Sequence, residues 1–570
     1  MRRGPRQVVP ARERTSWWPL WAAIIIMAGC SACMARLSIQ FDFHSPLADR
    51  PIPLVLTLLG VSFAAYLSGL QAAVGLPSSR RLAVCILGVA ALLRMILWNS
   101  TPIQEIDIYR YLWDGAVLSQ GVSPFRYAPD AVRQADSSSP TMDPQLRRLV
   151  QLRQNDPPLN EILDRVHFGQ LPTVYPPVSQ LIFVASAKMA PSGASLETRV
   201  NVMKLCFLLF DMGTLGLVML LLRHLSRPVG WSVAYGWCPL VIKEIANSGH
   251  LDAVAVFFTT LGIFWIVRHA TRAANWYSLW PATALAAGIG AKLYPIILIP
   301  LLTTWLLKQH GWARALTFVT ATGVLSLVFL GPMLRSDRSP SASDEPVSPE
   351  TETAEVTTPD SVAGLRTFLT HWEMNDFFFL ILVENLKPLK QVRSMGQEAW
   401  FSFVPDRFRI WMVDRWTSRF PVESYLVPFA TARMLTLALT AAVALRLLVV
   451  GWRQDQPQAW LEAAFLTVAW FLLLSPTLNP WYWIWALPLV AFTRNPAWIW
   501  MSGLVPLYYL RFWLEYRWPT EGVAGTPYVG VQFFDFIVTW VEFFPWLIAL
   551  FVIRWFGHGR DSSQLAAVSS

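Results

Sequence analysis

The sequence predicts an all-α fold, a polytopic bundle of membrane-crossing helices. Three observations carry this reading. Hydrophobic residues make up 54% of the 570 positions and charged residues only 15%. Long apolar runs without charge recur through most of the chain, and the basic residues collect in the short connections between them. A composition this apolar lies outside the range of ordinary globular domains. A crossing helix needs about 20 mostly apolar residues, and roughly fourteen runs qualify, some short enough to be half-helices or tilted pairs around a cavity.

The runs can be threaded in order by charge. Arg2, Arg3, Arg6, Arg12 and Arg14 precede the first run, Trp17 to Leu37, and Arg80 and Arg81 separate the second from the third. Basic residues favour the cytoplasmic side, so the loop after the third run is expected outside. The first run is long and has no small-residue cleavage site, which predicts an uncleaved signal anchor. The external loop, roughly 100–199, ends in a short apolar run opened by Tyr175-Pro-Pro177. That run is expected to be an interfacial or re-entrant helix, because counting it as a crossing would put Arg223, His224 and Arg227 outside. Runs near 200–223 and 229–246 follow, then an external turn at Asn247 to Asp252 and a return ending at Arg268 and Arg272. Two shorter runs meet at Lys292-Leu-Tyr294-Pro295, also outside, and a run near 315–333 leads out again. Residues 336–362 are rich in Ser, Pro, Thr and Glu, a composition that predicts a disordered external linker. Runs near 427–450 and 457–475 follow, leading to the external turn Ser475 to Trp483, and three more return the carboxyl terminus inside. The expected organisation is residues 1–81 as tail and accessory helices, 82–334 as core, 335–365 as linker, and 366–570 as a second external loop with further helices.

Several function classes drop out. The net charge of +9 reports topology instead of a nucleic-acid surface, since the bases are dispersed among loops. The five cysteines form no disulfide framework, and Cys30-Ser-Ala-Cys33 reads as small residues within an apolar run.

Every polar motif of unusual chemistry then falls on the external face. These are Glu105, Asp107, Arg110 and Asp114; Tyr175; His250 and Asp252; Lys292; Trp372 and Asn375; and Asn479 and Tyr482. Ionisable groups near a bilayer cost about 2.5–3.5 kcal/mol each and usually face a cavity, so one external pocket is expected. Each has a plainer alternative. Asp107 could cap a helix or pair with Arg110, and Asp114 could pair with Arg110. His250 and Asp252 could cap helices, Lys292 could reach up to the headgroups, and the aromatics could form an interfacial belt. Asp211, deep in an apolar run, reads as a helix–helix hydrogen-bonding group outside the site.

The order of these motifs, Glu105-Ile-Asp107 with Tyr109-Arg110-Tyr-Leu-Trp113-Asp114-Gly115, Gly121-Val-Ser-Pro124-Phe-Arg-Tyr127, Tyr175-Pro-Pro177, Asn247-Ser-Gly-His250-Leu-Asp252 and Lys292-Leu-Tyr294-Pro295, resembles the GT-C integral-membrane glycosyltransferases. It is closest to polyprenyl- or dolichyl-phosphate-mannose-dependent mannosyltransferases, including GPI mannosyltransferase I and bacterial relatives. The resemblance covers about residues 82–310, and more loosely 370–500. It implies transfer of a hexose, mannose first, from a polyprenyl-phosphate donor to a glycan, lipid or protein acceptor at the extracytoplasmic face of a bacterial inner membrane. It also implies catalysis by Asp107 with Glu105, where relatives often have Asp-x-Asp, and a magnesium or manganese ion on the same pair as an option. Arg110, Asp114, Tyr175, His250, Asp252, Lys292, Trp372, Asn375, Asn479 and Tyr482 would contact substrate. The alternatives are a flippase or transporter of a lipid-linked sugar, in which the same cluster only grips a headgroup, and transfer of another group onto surface glycans.

Overall fold

The computed structural model describes residues 16–135, 142–269, 274–334, 364–365 and 372–566. The basic amino-terminal tail and nearly all of the expected 335–365 linker lie outside these residues. Among the described residues the regular structure is helical, apart from an isolated bridge between Met374 and Thr477.

Eight described helices are long and apolar enough to cross a membrane: Trp18–Phe41, Leu47–Gly75, Arg80–Trp98, Leu196–His224, Trp312–Leu334, Ser424–Trp452, Pro457–Leu474 and Gly530–Ile553. The other apolar runs are broken. The run near 229–246 folds as short helical pieces ending in a π-helical turn, Ile242–Asn247. The two runs that meet at Lys292 part there, where its extended backbone (φ −158°, ψ 137°) ends the preceding helix. Prolines and tight 3₁₀ turns break the run after Asn479. Backbone irregularity at such depth is tolerated only where protein buries it, and residues 233–256 are buried throughout.

Helix α1 (Trp18–Leu37) packs on α2 (Ile52–Gly75) and α3 (Arg80–Trp98). Ser79 starts α3 by accepting from the Leu82 amide at 3.1 Å, filling one of the unpaired donors at a helix start. Helix α4 (Asp107–Ser119) lies against α5 (Pro177–Met189), whose 13 residues are too few to cross. Gly115 permits this approach, because a Cβ there would collide with the Phe183 carbonyl. Helix α6 (Leu196–His224) has Glu197 in its first turn and Arg223 and His224 in its last, each suited to the helix dipole. It packs on α7 (Asp252–Arg268), which packs on α8 (Leu279–Ala291).

Asp211 does what its position implies. Arg94 Nε on α3 donates to its Oδ2 at 2.5 Å, Tyr235 donates to Oδ1 at 2.7 Å, and Arg94 also donates to the Gly236 carbonyl at 2.7 Å. The pair is fully buried and ties α3, α6 and the broken segment together.

Candidate functional site

The approach to the acidic motif is pinned before it reaches Glu105. Asn247, at the end of the π-helical turn, accepts from the Ile103 amide at 2.8 Å and donates to Ser100 Oγ and the Thr101 carbonyl, both at 2.8 Å. Lys204 donates to the Ser100 carbonyl at 2.6 Å. Gly249 completes the clamp, with φ +72° and Ile108 Cδ1 2.6 Å from where a Cβ would stand. A side chain there would meet both a left-handed backbone and a filled space. The Asn247–Asp252 turn therefore sets where α4 begins.

Asp107 is the first residue of α4, yet it is neither of the plain things weighed for it. The helix has no side-chain cap, and Arg110 bonds one turn onward to Asp114 Oδ1 at 2.9 Å. Among the described residues the half-buried Asp107 carboxylate has no hydrogen-bond or ion-pair partner. Its charge acts on Glu105, Tyr111, His167, Tyr175 and Tyr482, so these groups share its surroundings. Glu105 is buried, with Oε1 unpaired. Burial holds its carboxyl well above the usual range; Lys243 opposes this, while Asp107 and Glu244 add to it.

A buried network stands behind Glu105. Lys243 donates to the Tyr509 hydroxyl at 2.6 Å, and that hydroxyl donates to Glu244 Oε1 at 2.8 Å. His250 Nε2 lies 3.4 Å from Glu244 Oε2, and its ring stacks on Trp481 with centroids 4.3 Å apart. Lys243, Glu244 and Tyr509 escaped the sequence reading. Two adjacent charges inside an apolar run were the available signal.

Asp252, in the first turn of α7, is also no simple cap. Its Oδ1 accepts from Lys292 Nζ at 2.7 Å and from Trp485 Nε1 at 2.5 Å, while Oδ2 is unpaired and buried. Lys292 Nζ sits 4.5 Å from the Tyr482 ring centre and 5.1 Å from that of Trp485. Aromatic faces stabilise a cation, and the lysine is held there, 17% exposed, instead of reaching to headgroups. Tyr482 feels both Asp252 and Asp107, which makes it the link between the two clusters. Tyr175 packs edge-on against Tyr111 at 4.9 Å.

The expected residues divide into three groups. Glu105, Asp107, Tyr175, His250, Asp252, Lys292 and Tyr482 form one cluster of interacting polar groups, with Asn479 buried beside Tyr482, whose amide donates to the Asn479 carbonyl at 2.9 Å. Arg110 and Asp114 form a supporting layer: Arg110 also reaches the Leu171 carbonyl at 3.1 Å, and Gln180 of α5 donates to Asp114 Oδ2 at 3.2 Å. Trp372 and Asn375 belong elsewhere. Trp372 packs on Phe168 at 4.8 Å, and Asn375 donates to the Leu478 carbonyl at 2.8 Å and to Glu542 at 3.2 Å.

A magnesium or manganese ion would find here one carboxyl whose charged form burial disfavours and one half-buried carboxylate. Among the described residues no group of three or more His, Cys, Asp or Glu side chains comes together to hold an ion. Hard divalent cations need several oxygen ligands, so this donor set does not fit a protein-held metal.

The described residues form an all-helical fold with eight helices able to cross a membrane and a buried polar cluster. No family model, curated protein or solved structure matches the chain.

Proposed function

We propose that the protein is a membrane glycosyltransferase that moves a hexose, mannose being the first candidate, from a polyprenyl-phosphate donor to an acceptor hydroxyl at the extracytoplasmic face. The observation that carries this reading is Asp107: a half-buried carboxylate without a partner, on a clamped helix start, sharing Tyr482 with the Asp252–Lys292 pair. Asp107 takes the proton of the acceptor hydroxyl as its oxygen attacks the anomeric carbon. The new C–O bond forms opposite the breaking bond to phosphate, so the configuration inverts and the bonding electrons leave with the polyprenyl phosphate. Lys292 stabilises the charge that grows on that phosphate. Glu105, whose charged form burial disfavours, supports the site by hydrogen bonding and leaves the role of base to Asp107.

General-base assistance accounts for about 10²–10⁴ in rate. In a transfer assay with purified protein and polyprenyl-phosphate sugars, Asp107→Asn is expected to lose turnover by that order while remaining folded. Near-normal turnover overturns the base assignment. Sugar movement across vesicles without any transfer product would identify a flippase instead.

A further inference from the structure

Trp372 and Asn375 were expected in the chamber, and the segment that carries them lines a different space. A cavity of about 220 Å³ lies between Glu373–Asp376 and the Arg511, Gln532 and Asp535 side chains. Two buried acceptors of its lining residues have no partner: Asp376 Oδ2, on a residue 6% exposed, and Asn375 Oδ1, on a residue 2% exposed. Buried polar atoms are rarely left unpaired, and each such vacancy calls for a donor.

The lining narrows the chemistry of that donor. Glu384 is taken by Lys387 at 2.5 Å, and Asp535 lies 3.7 Å from Arg511, so the bases are already matched. What remains, Glu373 and Asp376, is acidic, which disfavours an anion. Among the described residues no metal-holding group of three acids is present. Gln397 and Gln532 each offer an amide donor as well as an acceptor. An ammonium group can only donate and would leave the amide hydrogens of the half-buried Gln532 unmatched, whereas a hydroxyl does both. Phe536 and Leu380 supply an apolar wall suited to the C–H face of a sugar ring. Burial pushes the Glu373 carboxyl up to about 7, so near neutrality it too can donate.

The cavity adjoins the chamber. Met374 accepts from the Leu478 amide at 2.8 Å, one residue before Asn479, and the Tyr508 hydroxyl lies 3.5 Å from Met374 Sδ. Tyr508 feels both Glu105 and Asp535, so it stands near the acidic motif and the cavity alike.

We propose that this cavity is a second binding site, for a neutral hexose ring held through Asp376, Asn375 and the two glutamines. Naming that ring as the sugar of the acceptor next to the reacting hydroxyl rests on the transfer reading above; the binding itself does not.

The test is saturation-transfer NMR on the full-length protein in lipid nanodiscs, with methyl α-mannoside and methyl α-glucoside as probes and ethanolamine as the cationic control. Saturable binding of a hexoside is expected in the unaltered protein and in Asp107→Asn. Asp376→Leu and Glu373→Met are each expected to weaken it by about tenfold, the loss of one buried hydrogen bond. The second variant decides if the first does not fold. Binding of ethanolamine in preference to hexosides, absence of hexoside binding, or loss in Asp107→Asn with retention in Asp376→Leu and Glu373→Met each overturns the proposal. Hexoside binding that survives in Asp107→Asn while no transfer is detected in any assay would overturn the transfer reading and leave the cavity assignment standing.

Discussion

Asp107 and Arg110 lie one helical turn apart, yet only the arginine finds a partner, because Asp114 stands one further turn along the same face. Spacing alone left both pairings open. The choice required knowing that Gln180 and the Leu171 carbonyl converge on the same layer. Glu373 shows the reverse case, an acid whose surroundings matter more than its neighbours in sequence. Burial raises its carboxyl from 4.5 to about 7, reinforced by Asp535 and Glu384 and opposed by Lys387 and Arg433. Between those two values the folded protein binds more protons than the unfolded chain, so stability falls as pH rises through the window. Glu105 and Asp376, also raised by burial, act in the same sense. Thermal unfolding followed from pH 4.5 to about 7 is expected to show a declining midpoint, with a shallower slope in Glu373→Gln. An identical slope in the variant would mean that Glu373 titrates normally.

Between elements, the fully buried Arg94–Asp211 pair fastens α3 to α6 and, through Tyr235 and Gly236, to the broken segment that ends at Asn247. Removing one member leaves the other charge buried and unpaired, at a cost of about 3–5 kcal/mol. Asp211→Ala is therefore expected to lower the unfolding midpoint of the detergent-solubilised protein strongly, while Asp211→Ala combined with Arg94→Leu recovers part of the loss. A double variant as unstable as the single one would show that the pair is not coupled. The sequence made the bonding role of Asp211 legible, since a lone acid in an apolar run needs a partner. Its partner was not legible, because Arg94 lies on another helix, 117 positions away. The same limit explains the missed Lys243, Glu244 and Tyr509 network, in which Tyr509 lies 265 positions from Glu244.

For the whole molecule, eight described apolar helices are long enough to cross a membrane, and the interrupted segments carry Lys243, Glu244, Asn247 and Lys292 of the polar cluster. We propose from the charge bias that the polar cluster lies outside the cytoplasm. Single cysteines at Ser123 and at Ser226, introduced into a protein whose native cysteines are replaced, test this with a membrane-impermeant maleimide on intact cells. Ser123 is expected to label without lysis and Ser226 only after it, and the opposite pattern would invert the topology.

The sequence by itself determined that the chain is helical and membrane-embedded, because length and apolarity decide what a bilayer accepts. It also drew attention to most residues of the polar cluster, because a charge in an apolar setting is costly wherever it occurs. Only the tertiary structure decided which of them stand together. It set Asp107 apart from Arg110, joined Lys292 to Asp252, packed Trp372 on Phe168 and put Asn375 at a separate cavity. Those choices depend on distances of a few ångströms between helices far apart in the chain, and no local pattern encodes them.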